Sequence, residues 1–481
     1  MKYDIVIGLE IHSELLTKSK AFCSCKNEFG NDPNTNCCPV CIGLPGALPV
    51  LNAKAVEYTI KSGLAFNCSI SKEAVYERKN YFYPDLSKAY QISQLEKPIC
   101  INGSVTINDK KIRINRIHME EDAGKNIHDE ASGNSLVDYN RCGVPLIEIV
   151  TEPDISSSDE AVKFLEVVRE TLIYIGVSDG KMNEGSLRCD VNVSLKQKGS
   201  NVLGKRTEMK NLNSFKAVKR AIDYEVERQS NELDLGNQIV QETRKWDDEK
   251  GYGFSLRTKE ESNDYRYFPD QDLPPILISD DYVNEIKSTI PKLPNERREY
   301  YIKSLNLPEY DAKVLTDKRE ISDYFEKCIS IYNDPKAISN FLMSNLLKII
   351  KNEENESINF RVAEKDICDI IKMQAEGKIS SSSAKIVFEK SWESEKKPMS
   401  IIEQMGLVQV SDESFIENLV KEIIKENPDA VNSYKNGNDK LLGFFVGQTM
   451  KLSKGKINPS VANKVIIRLL KSEGEEWLNQ Q

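Results

Sequence analysis

The sequence predicts an α+β fold in which an antiparallel sheet comes first and helices follow. Up to about residue 290, short segments alternate apolar and polar side chains and are broken by Gly, Pro, Asn and Asp, as in strands and hairpins. From residue 294 onward, apolar residues recur at helical spacing. A length of 481 residues allows roughly three domains of about 150 residues. We place them at 1–293, 294–405 and 406–481.

The first part contains the strand-like segments YDIVIGLEIH, GSVTINDKKIRINRIHM and GSLRCDVNVSL. Helices interrupt them, notably around 156–175 and 214–233. A proline-rich stretch at 272–301 then turns into helical periodicity, so we place the first domain boundary there.

The second part has helical segments such as REISDYFEKCISIY and AISNFLMSNLLKIIKN. The four serines at 380–383 are most simply a turn between two helices. After 405 the chain restarts with the helix FIENLVKEIIKENP, for which Asp412 is the predicted N-terminal cap.

Charge and hydropathy limit the class of protein. The sequence contains no long apolar run of the kind that predicts a membrane span. The N-terminus also lacks the apolar centre of a secretory signal, so we expect a cytoplasmic protein. A net charge of -9 argues against nonspecific coating of nucleic acid. Residues 435–471 nevertheless carry eight basic residues and one acidic residue, which indicates either a local RNA contact or a solvated helix face.

Five of the eleven cysteines lie within nineteen positions. Cys23 and Cys25 form one close pair, and Cys38 and Cys41 form a C-x2-C pair after a loop. Two such pairs can place four thiolates at the corners of a tetrahedron, and a closed four-cysteine set leaves no open position for water. The spacing predicts a structural zinc site, and ordinary buried thiols are the alternative.

Acidic residues mark a possible second metal site. In the first strand, Glu10 and His12 point away from the apolar face. Further acidic and basic residues lie on later strands, a mixture that suits Mg²⁺ and nucleotide phosphates, although surface salt bridges explain it too. These later residues are His118, Glu120, Glu121, Asp122, Arg188, Asp190, Glu208 and Lys210.

Common catalytic motifs are missing. GVSDGKM at 176–182 lacks the P-loop spacing, and GYGF at 251–254 lacks the third glycine of a dinucleotide turn. The serines at 380–383 lack the glycine-rich frame of an amidase centre. Any ATP chemistry must therefore use a site of another kind, carried by the sheet.

Several long collinear segments together resemble one family, the B subunits of the tRNA-dependent aspartyl/glutamyl amidotransferases. The resemblance covers the whole chain, and such strings are far more specific than any single short motif. They are VIGLEIHSEL, the two cysteine pairs, RKNYFYPDLSKAYQISQ, HMEEDAGK, RCGVPLIEIVTEPD, EGSLRCDVNVS, KNLNSF, DYRYFPDQDLPP and GFFVGQTMKLSKGKINP.

The resemblance implies a fold, a reaction and partners. The first domain would be a cradle similar to glutamine synthetase and the guanidino kinases, and the helical and tail domains would bind tRNA. The chain would phosphorylate the side-chain carboxylate of glutamate or aspartate misacylated onto tRNA(Gln) or tRNA(Asn). Ammonia from an amidase-type partner, the A subunit, would then form the amide, with a small C subunit completing a heterotrimer. The cognate non-discriminating aminoacyl-tRNA synthetase is a further implied partner.

The resemblance also assigns roles to residues of this chain. Lys79 would contact the phosphate or acyl group, and Arg188 the nucleotide. The Mg²⁺ and ATP group would be Glu10, His12, Glu120, Glu121, Asp190 and Glu208. Zinc would be held by Cys23, Cys25, Cys38 and Cys41, and tRNA by Lys451, Lys454, Lys456 and Lys464.

Two alternatives of other classes stay open at this point. One is a noncatalytic zinc-containing scaffold that binds tRNA. The other is an ATP-dependent carboxylate-amine ligase acting on a free small-molecule acid.

Overall fold

The computed structural model describes residues 2–129, 133–258, 265–352, 358–409, 412–453 and 457–478. The chain forms two compact units, Met1–Pro294 and Asn295–Gln481. Within the described ranges, no helix has the length and apolar character needed to cross a membrane.

The first unit contains sixteen strands among the residues that the structure describes. They are β1 (Tyr3–Glu14), β2 (Ser69–Ile70), β3 (Glu73–Ala74), β4 (Glu77–Asn80), β5 (Tyr90–Ser93), β6 (Cys100–Ile107), β7 (Lys110–Glu121), β8 (Lys125–Asp129), β9 (Asn134–Asp138), β10 (Pro145–Thr151), β11 (Leu187–Gln197), β12 (Thr207–Lys210), β13 (Glu242–Asp247), β14 (Tyr252–Thr258), β15 (Phe268–Pro269) and β16 (Ile276–Leu277).

Nine of these strands form one large sheet in the order β14-β13-β12-β11-β1-β10-β7-β6-β2. Neighbouring strands run antiparallel, except for the parallel pair β12 and β13. Three small sheets accompany it, β15-β4-β5, β16-β3 and β8-β9. The predicted α+β class with an antiparallel sheet is confirmed, and the parallel pair is a local exception.

Helices cover one face of the large sheet. They are α1 (Ala53–Ala65), α2 (Ser158–Tyr174) and α3 (Phe215–Asp234), and α4 (Asp280–Ser288) packs against α1. Their apolar residues join Ile7, Leu9 and Ile11 of β1 in one buried core. Side chains alternate along a strand, so the residues of β1 that alternate with Ile7, Leu9 and Ile11 face the opposite side of the sheet. That opposite side carries the candidate site.

The second unit is helical throughout its described residues. Its helices are α5 (Pro294–Lys303), α6 (Glu309–Leu315), α7 (Arg319–Ile331), α8 (Pro335–Phe341), α9 (Leu347–Asn352), α10 (Glu364–Ala375), α11 (Ser381–Ser394), α12 (Pro398–Met405), α13 (Glu413–Glu426), α14 (Pro428–Lys435), α15 (Leu441–Leu452) and α16 (Pro459–Leu478), with a π-helical segment Leu342–Leu346 between α8 and α9.

Two separate hydrophobic clusters lie in this unit. One extends from Tyr301 to Ile402, and the other from Ile416 to Leu470. The division of the helical part into two domains after residue 405 stays a prediction.

The predicted N-terminal cap of α13 is confirmed, since the Asp412 carboxylate accepts from the backbone N–H groups of Ser414 and Phe415. The predicted turn at the four serines is wrong. Ser380 caps α11 by accepting from the backbone N–H of Ser383, so the other serines form the first helical turn.

Candidate active site and metal centres

The four predicted zinc ligands lie together in the connection between β1 and α1. The Sγ of Cys41 is 3.5 Å from that of Cys23, 3.7 Å from that of Cys38 and 3.8 Å from that of Cys25. Four sulfurs bound at about 2.3 Å to a tetrahedral zinc ion lie roughly 3.8 Å apart. The observed separations fit that geometry, so these cysteines could hold zinc.

A buried lysine supports this cysteine cluster. The Lys20 side chain is 0% exposed. Its ammonium donates to the carbonyl oxygen of Asn36 at 2.9 Å and to Cys41 Sγ at 3.5 Å. Hydrogen bonding from Cys23, the backbone of Cys38 and the charge of Lys20 outweigh burial and lower the pKa of Cys41 to about 4. Cys41 is therefore disposed to be a thiolate, the form that binds metal.

The large sheet assembles a second cluster, on the face away from the helices. His12 of β1 lies opposite Glu148 of β10, which in turn lies opposite His118 of β7. Residues directly opposite on paired strands point to the same face. Alternation along β1 and β7 adds Glu10 and Glu120 to that face. We call these five residues the carboxylate–histidine centre.

Distances within this centre are short. His12 Nε2 lies 3.8 Å from Glu10 Oε1, 3.5 Å from Glu120 Oε1 and 3.4 Å from Glu148 Oε2. His118 Nε2 lies 3.8 Å from Glu120 Oε2 and 3.4 Å from Glu148 Oε2. Glu148 thus belongs to two sets of possible metal ligands, with Glu10 and His12 and with His118 and Glu120.

The donor atoms fit a divalent cation. Ligand atoms bound at about 2.1 Å to an octahedral ion lie roughly 3.0 Å from their neighbours. The distances between the ligand atoms of the centre would therefore need to shorten by about half an ångström. Carboxylate oxygens suit Mg²⁺ and Mn²⁺, and imidazole nitrogens also suit softer transition metals.

Burial and mutual charge shift the pKa values in the centre. Burial lowers the pKa of both histidines, but their contacts with Glu148 and Glu120 raise it to about 9. Despite burial, His118 and His12 hold the pKa of Glu120 and Glu148 below the usual range. Burial and the charge of Glu148 raise the pKa of Glu10. The centre therefore pairs imidazolium ions with carboxylates, and a bound metal ion would replace the protons.

An acidic edge continues the same face toward β12. Asp190 lies opposite Glu10, and Glu208 lies opposite Asn192 on the next strand. The Lys210 ammonium bonds the Asp190 carboxylate and lies 3.1 Å from Glu208 Oε1. Burial lowers the pKa of Lys210, but these carboxylates raise it overall, so the amine is charged.

Two predicted phosphate-contacting residues border the centre. Although burial lowers the pKa of Lys79, the charges of Glu120, Tyr267 and Glu148 raise it overall. Lys79 thus presents a half-buried cation to the centre. Arg188 lies opposite His12 in the sheet, and its Nη2 bonds Asp122 Oδ2 at 2.8 Å.

Glu121 lies apart from the centre. It follows Glu120 in β7 and pairs with Pro145, so alternation turns its side chain to the other face. There its carboxylate accepts from the backbone N–H of Ile92 at 2.9 Å and from the Lys88 ammonium. The sheet register therefore separates Glu121 from Glu120, and we leave Glu121 out of the proposed metal-binding group.

Sequence reasoning missed Glu148 and left His118 out of the metal group. The signal for Glu148 was present, since it is the one charged residue in the apolar segment PLIEIVT. A lone buried carboxylate in a central strand needs charged partners, and strand pairing supplies two histidines.

The structure describes two of the four lysines that are predicted to bind tRNA. Lys451 and Lys464 are exposed, on α15 and α16. Lys454 and Lys456 fall outside the described residues.

Comparisons with known proteins cover nearly the whole chain. The family model for the GatB/GatE catalytic domain matches residues 5–284, and the model for the GatB domain matches residues 323–470. Curated relatives named as B subunits of aspartyl/glutamyl-tRNA(Asn/Gln) amidotransferase are similar over nearly the full length. The relative from Caldicellulosiruptor saccharolyticus is 54% identical, and the alignment covers 97% of this chain and 98% of the relative. The relative from Thermoanaerobacter pseudethanolicus is 51% identical, and the alignment covers 97% of this chain and 99% of the relative. The chain therefore belongs to the family of aspartyl/glutamyl-tRNA(Asn/Gln) amidotransferase B subunits.

Proposed function

We propose that this chain activates misacylated Glu-tRNA(Gln) or Asp-tRNA(Asn) for amidation, using ATP and Mg²⁺. The observation that carries the proposal is that the carboxylate–histidine centre and the acidic edge share one face of the large sheet. Lys79, from β4 of a small sheet, lies close enough for the charges of Glu120 and Glu148 to raise its pKa. The membership of an amidotransferase family supports it and disfavours both a noncatalytic scaffold and a ligase for small acids.

The reaction needs a better leaving group than oxide. An oxygen of the substrate's side-chain carboxylate attacks the γ-phosphorus of ATP, and the bond to ADP breaks. Ammonia then attacks the carbonyl carbon of the acyl phosphate, phosphate leaves with the bonding electron pair, and the nitrogen loses a proton to give the amide.

The residues of this chain position and neutralise charge. Bound Mg²⁺ would offset the negative charge of the phosphates. Lys79, a half-buried cation beside the centre, would contact a phosphoryl oxygen. Glu10, Glu148 and their neighbours would hold the metal, and Lys210 keeps Asp190 and Glu208 in place. The chemistry is then mainly positioning and electrostatics.

The finer parts of the proposal follow from family membership and the site. The sheet unit would have a fold like that of glutamine synthetase and the guanidino kinases. The cysteine cluster would hold structural zinc, and the helical unit would bind tRNA. An amidase-type A subunit would supply ammonia, and a small C subunit would complete the heterotrimer. The proposed place of action is the cytoplasm, where aminoacyl-tRNA is used.

The test is reconstitution with candidate A and C subunits, assayed with each misacylated tRNA, ATP and glutamine. Phosphate should be released from ATP only when the misacylated tRNA is present. Glu10→Ala and Lys79→Ala should each abolish this release while glutamine hydrolysis by the partner persists. Lys72→Ala is the control, because the Lys72 side chain is largely exposed and pairs with Asp280. Transamidation by Glu10→Ala or Lys79→Ala at the wild-type rate would refute the proposal.

A further inference from the structure

Asp122 is a buried carboxylate that the proposed metal and phosphate contacts leave without a role. It follows β7 directly, two residues after Glu120, and is 6% exposed. Its Oδ2 accepts from Arg188 Nη2 at 2.8 Å and lies 3.4 Å from Arg141 Nε. Its Oδ1 accepts from the backbone N–H of Ala123 at 2.9 Å. We call the three charged residues Arg141, Asp122 and Arg188 the arginine–aspartate bridge.

We propose that Asp122 is a positioning residue for phosphoryl transfer, which holds the Arg188 guanidinium beside the carboxylate–histidine centre, where it neutralises an oxygen of the group in transfer. This inference rests on the proposed function, since that function brings a phosphoryl group to the centre. Asp122 itself touches neither the substrate nor the metal and acts only through Arg188.

The backbone around Asp122 fixes the position of its carboxylate. The Asp122 N–H donates to the carbonyl of Val144 at 2.8 Å. Arg141 Nε donates to the carbonyl of Ala123 at 3.0 Å, and Arg141 Nη2 donates to that of Gly124 at 2.8 Å. The segments 122–124 and 141–144 are thus bonded to one another. A group anchored to a fixed carboxylate needs no reorganisation at the moment of reaction.

Strand register brings Arg188 to the centre. Arg188 of β11 lies opposite His12 of β1, so both side chains point to the same face of the large sheet. Burial lowers the pKa of Arg188, but the charges of Asp122 and of nearby glutamates, Glu120 among them, raise it overall. Arg188 is therefore a charged group next to the proposed metal ligands.

One donor of Arg188 has no partner. Its Nε atom is buried, and no residue that the structure describes accepts a hydrogen bond from it. Buried donors in native proteins are nearly always paired, so this position calls for an acceptor from outside the chain. The side chain as a whole is 35% exposed, which lets an anion reach the guanidinium. A phosphoryl oxygen is such an acceptor.

The charges of the bridge also favour an anion. Two guanidinium ions share one carboxylate, so one positive charge remains. A guanidinium that uses one edge for an aspartate still offers donors in a fixed planar arrangement to a phosphoryl oxygen. On a face with several carboxylates, this cation offsets their repulsion of the phosphates.

The alternative is a purely structural role for Asp122. It could stabilise its own loop through Arg141, or tie the end of β7 to β11 through Arg188. A role in the loop does not depend on Arg188, so it persists when Arg188 is removed. A tie between strands needs a side chain attached to β11, which a free ion cannot replace.

The first test is a double-mutant cycle on the reconstituted complex, with kcat and KM for ATP measured from phosphate release that depends on misacylated tRNA. Asp122→Asn keeps the shape of the side chain and removes its charge. It should lower kcat about 10- to 100-fold, with a smaller change in KM, because a misplaced Arg188 loses a contact of the transition state. In the Arg188→Ala background the same change should alter kcat by less than about 2-fold.

The matched control is Asp154→Asn. Asp154 bonds the Arg113 guanidinium at 2.6 and 2.8 Å, near the start of β7 instead of at its end. This variant removes an equivalent ion pair away from the centre and should keep the wild-type kcat.

The second test is chemical rescue, which separates positioning from a structural tie. Guanidinium added in solution to the Arg188→Ala complex should restore part of the lost kcat, because Asp122 can hold the free ion in place of the missing side chain. The double variant with Asp122→Asn and Arg188→Ala should show no such restoration.

The proposal is overturned by a wild-type kcat in Asp122→Asn, by a full further loss in the Arg188→Ala background, or by absence of rescue. Equal rescue of the double variant overturns it too. If variants without Asp122 fail to assemble, seen as loss of the partner's glutamine hydrolysis, the rescue of Arg188→Ala alone decides. Failure of the proposed function is a separate outcome, seen as a wild-type complex that hydrolyses glutamine but releases no phosphate with misacylated tRNA.

Discussion

Replacing Glu148 by glutamine is the sharpest perturbation of the carboxylate–histidine centre. The change keeps the size of the side chain and removes its charge. Glu148 Oε2 lies 3.4 Å from Nε2 of both His12 and His118. At an effective dielectric constant of about 20, each such pair has a Coulomb energy of roughly 5 kcal/mol before desolvation is subtracted.

The net effect on the histidines is smaller than that Coulomb energy. The pKa of His118 rises from 6.5 to about 9 against the opposing effect of burial, chiefly through its contacts with Glu148 and Glu120. Removing one of two carboxylates should lower the pKa of His118 by at least about one unit, or about 1.4 kcal/mol. His12 has three carboxylate neighbours and should shift less.

Histidine NMR on the assembled protein, with only this chain labelled, measures the shift directly. The chain has three histidines, so the spectrum is simple and His128 serves as an internal reference. Glu152→Gln is the control, because Glu152 is more exposed and bonds Asn115 instead of a histidine. A pKa of His118 that stays near 9 in Glu148→Gln would refute the electrostatic account of the centre.

The same pKa values give the direction of the pH dependence of stability. The histidine pKa values are raised by folding, so the ion pairs contribute fully to the free energy of unfolding below about pH 6.5. This contribution is lost as the pH rises through about 9, and Glu148→Gln should flatten the profile in that window.

Three further predictions concern metal and RNA binding. Lys20→Met should weaken zinc binding about 10- to 100-fold, because it removes the cation beside Cys41. Lys26→Met, at an exposed position, should leave zinc binding unchanged. Competition with a chromogenic chelator measures both affinities, and equal affinities would contradict the role of Lys20. The affinity of the carboxylate–histidine centre for Mn²⁺ should rise with pH up to about 9, because the metal must displace imidazolium protons. Electron paramagnetic resonance measures this affinity at each pH. An affinity that does not change with pH would exclude a histidine ligand. Lys464→Ala should weaken tRNA binding and reduce the slope of log affinity against log salt by about 1; an unchanged slope would remove this lysine from the RNA contact.

Local patterns predicted much of this fold. Period-two alternation in β1 placed Glu10 and His12 on the face away from the core, and the Asp412 cap located the start of α13. These signals are carried within a few residues, so a single sequence suffices to detect them.

What the sequence could not supply is strand register. Alternation along β7 puts Glu120, and not Glu121, on the same face as His118. Only the pairing of β7 with β10 brings that face of β7 beside Glu148 and His12. Glu148 was missed for the same reason, because its partners are 30 or more residues away in the chain. Pairing over such distances depends on tertiary structure and leaves no local pattern.

The position of β1 has a consequence for biosynthesis. This first strand lies in the middle of the nine-stranded sheet, between β10 and β11. Tyr3 pairs with Gln197, so β1 cannot complete its hydrogen bonds until β11, nearly two hundred residues later in the chain, has been made. Until then its alternating apolar face lacks its sheet partners, a condition that favours aggregation and slows folding. Protection of β1 until β10 and β11 have been made is therefore a requirement built into the topology.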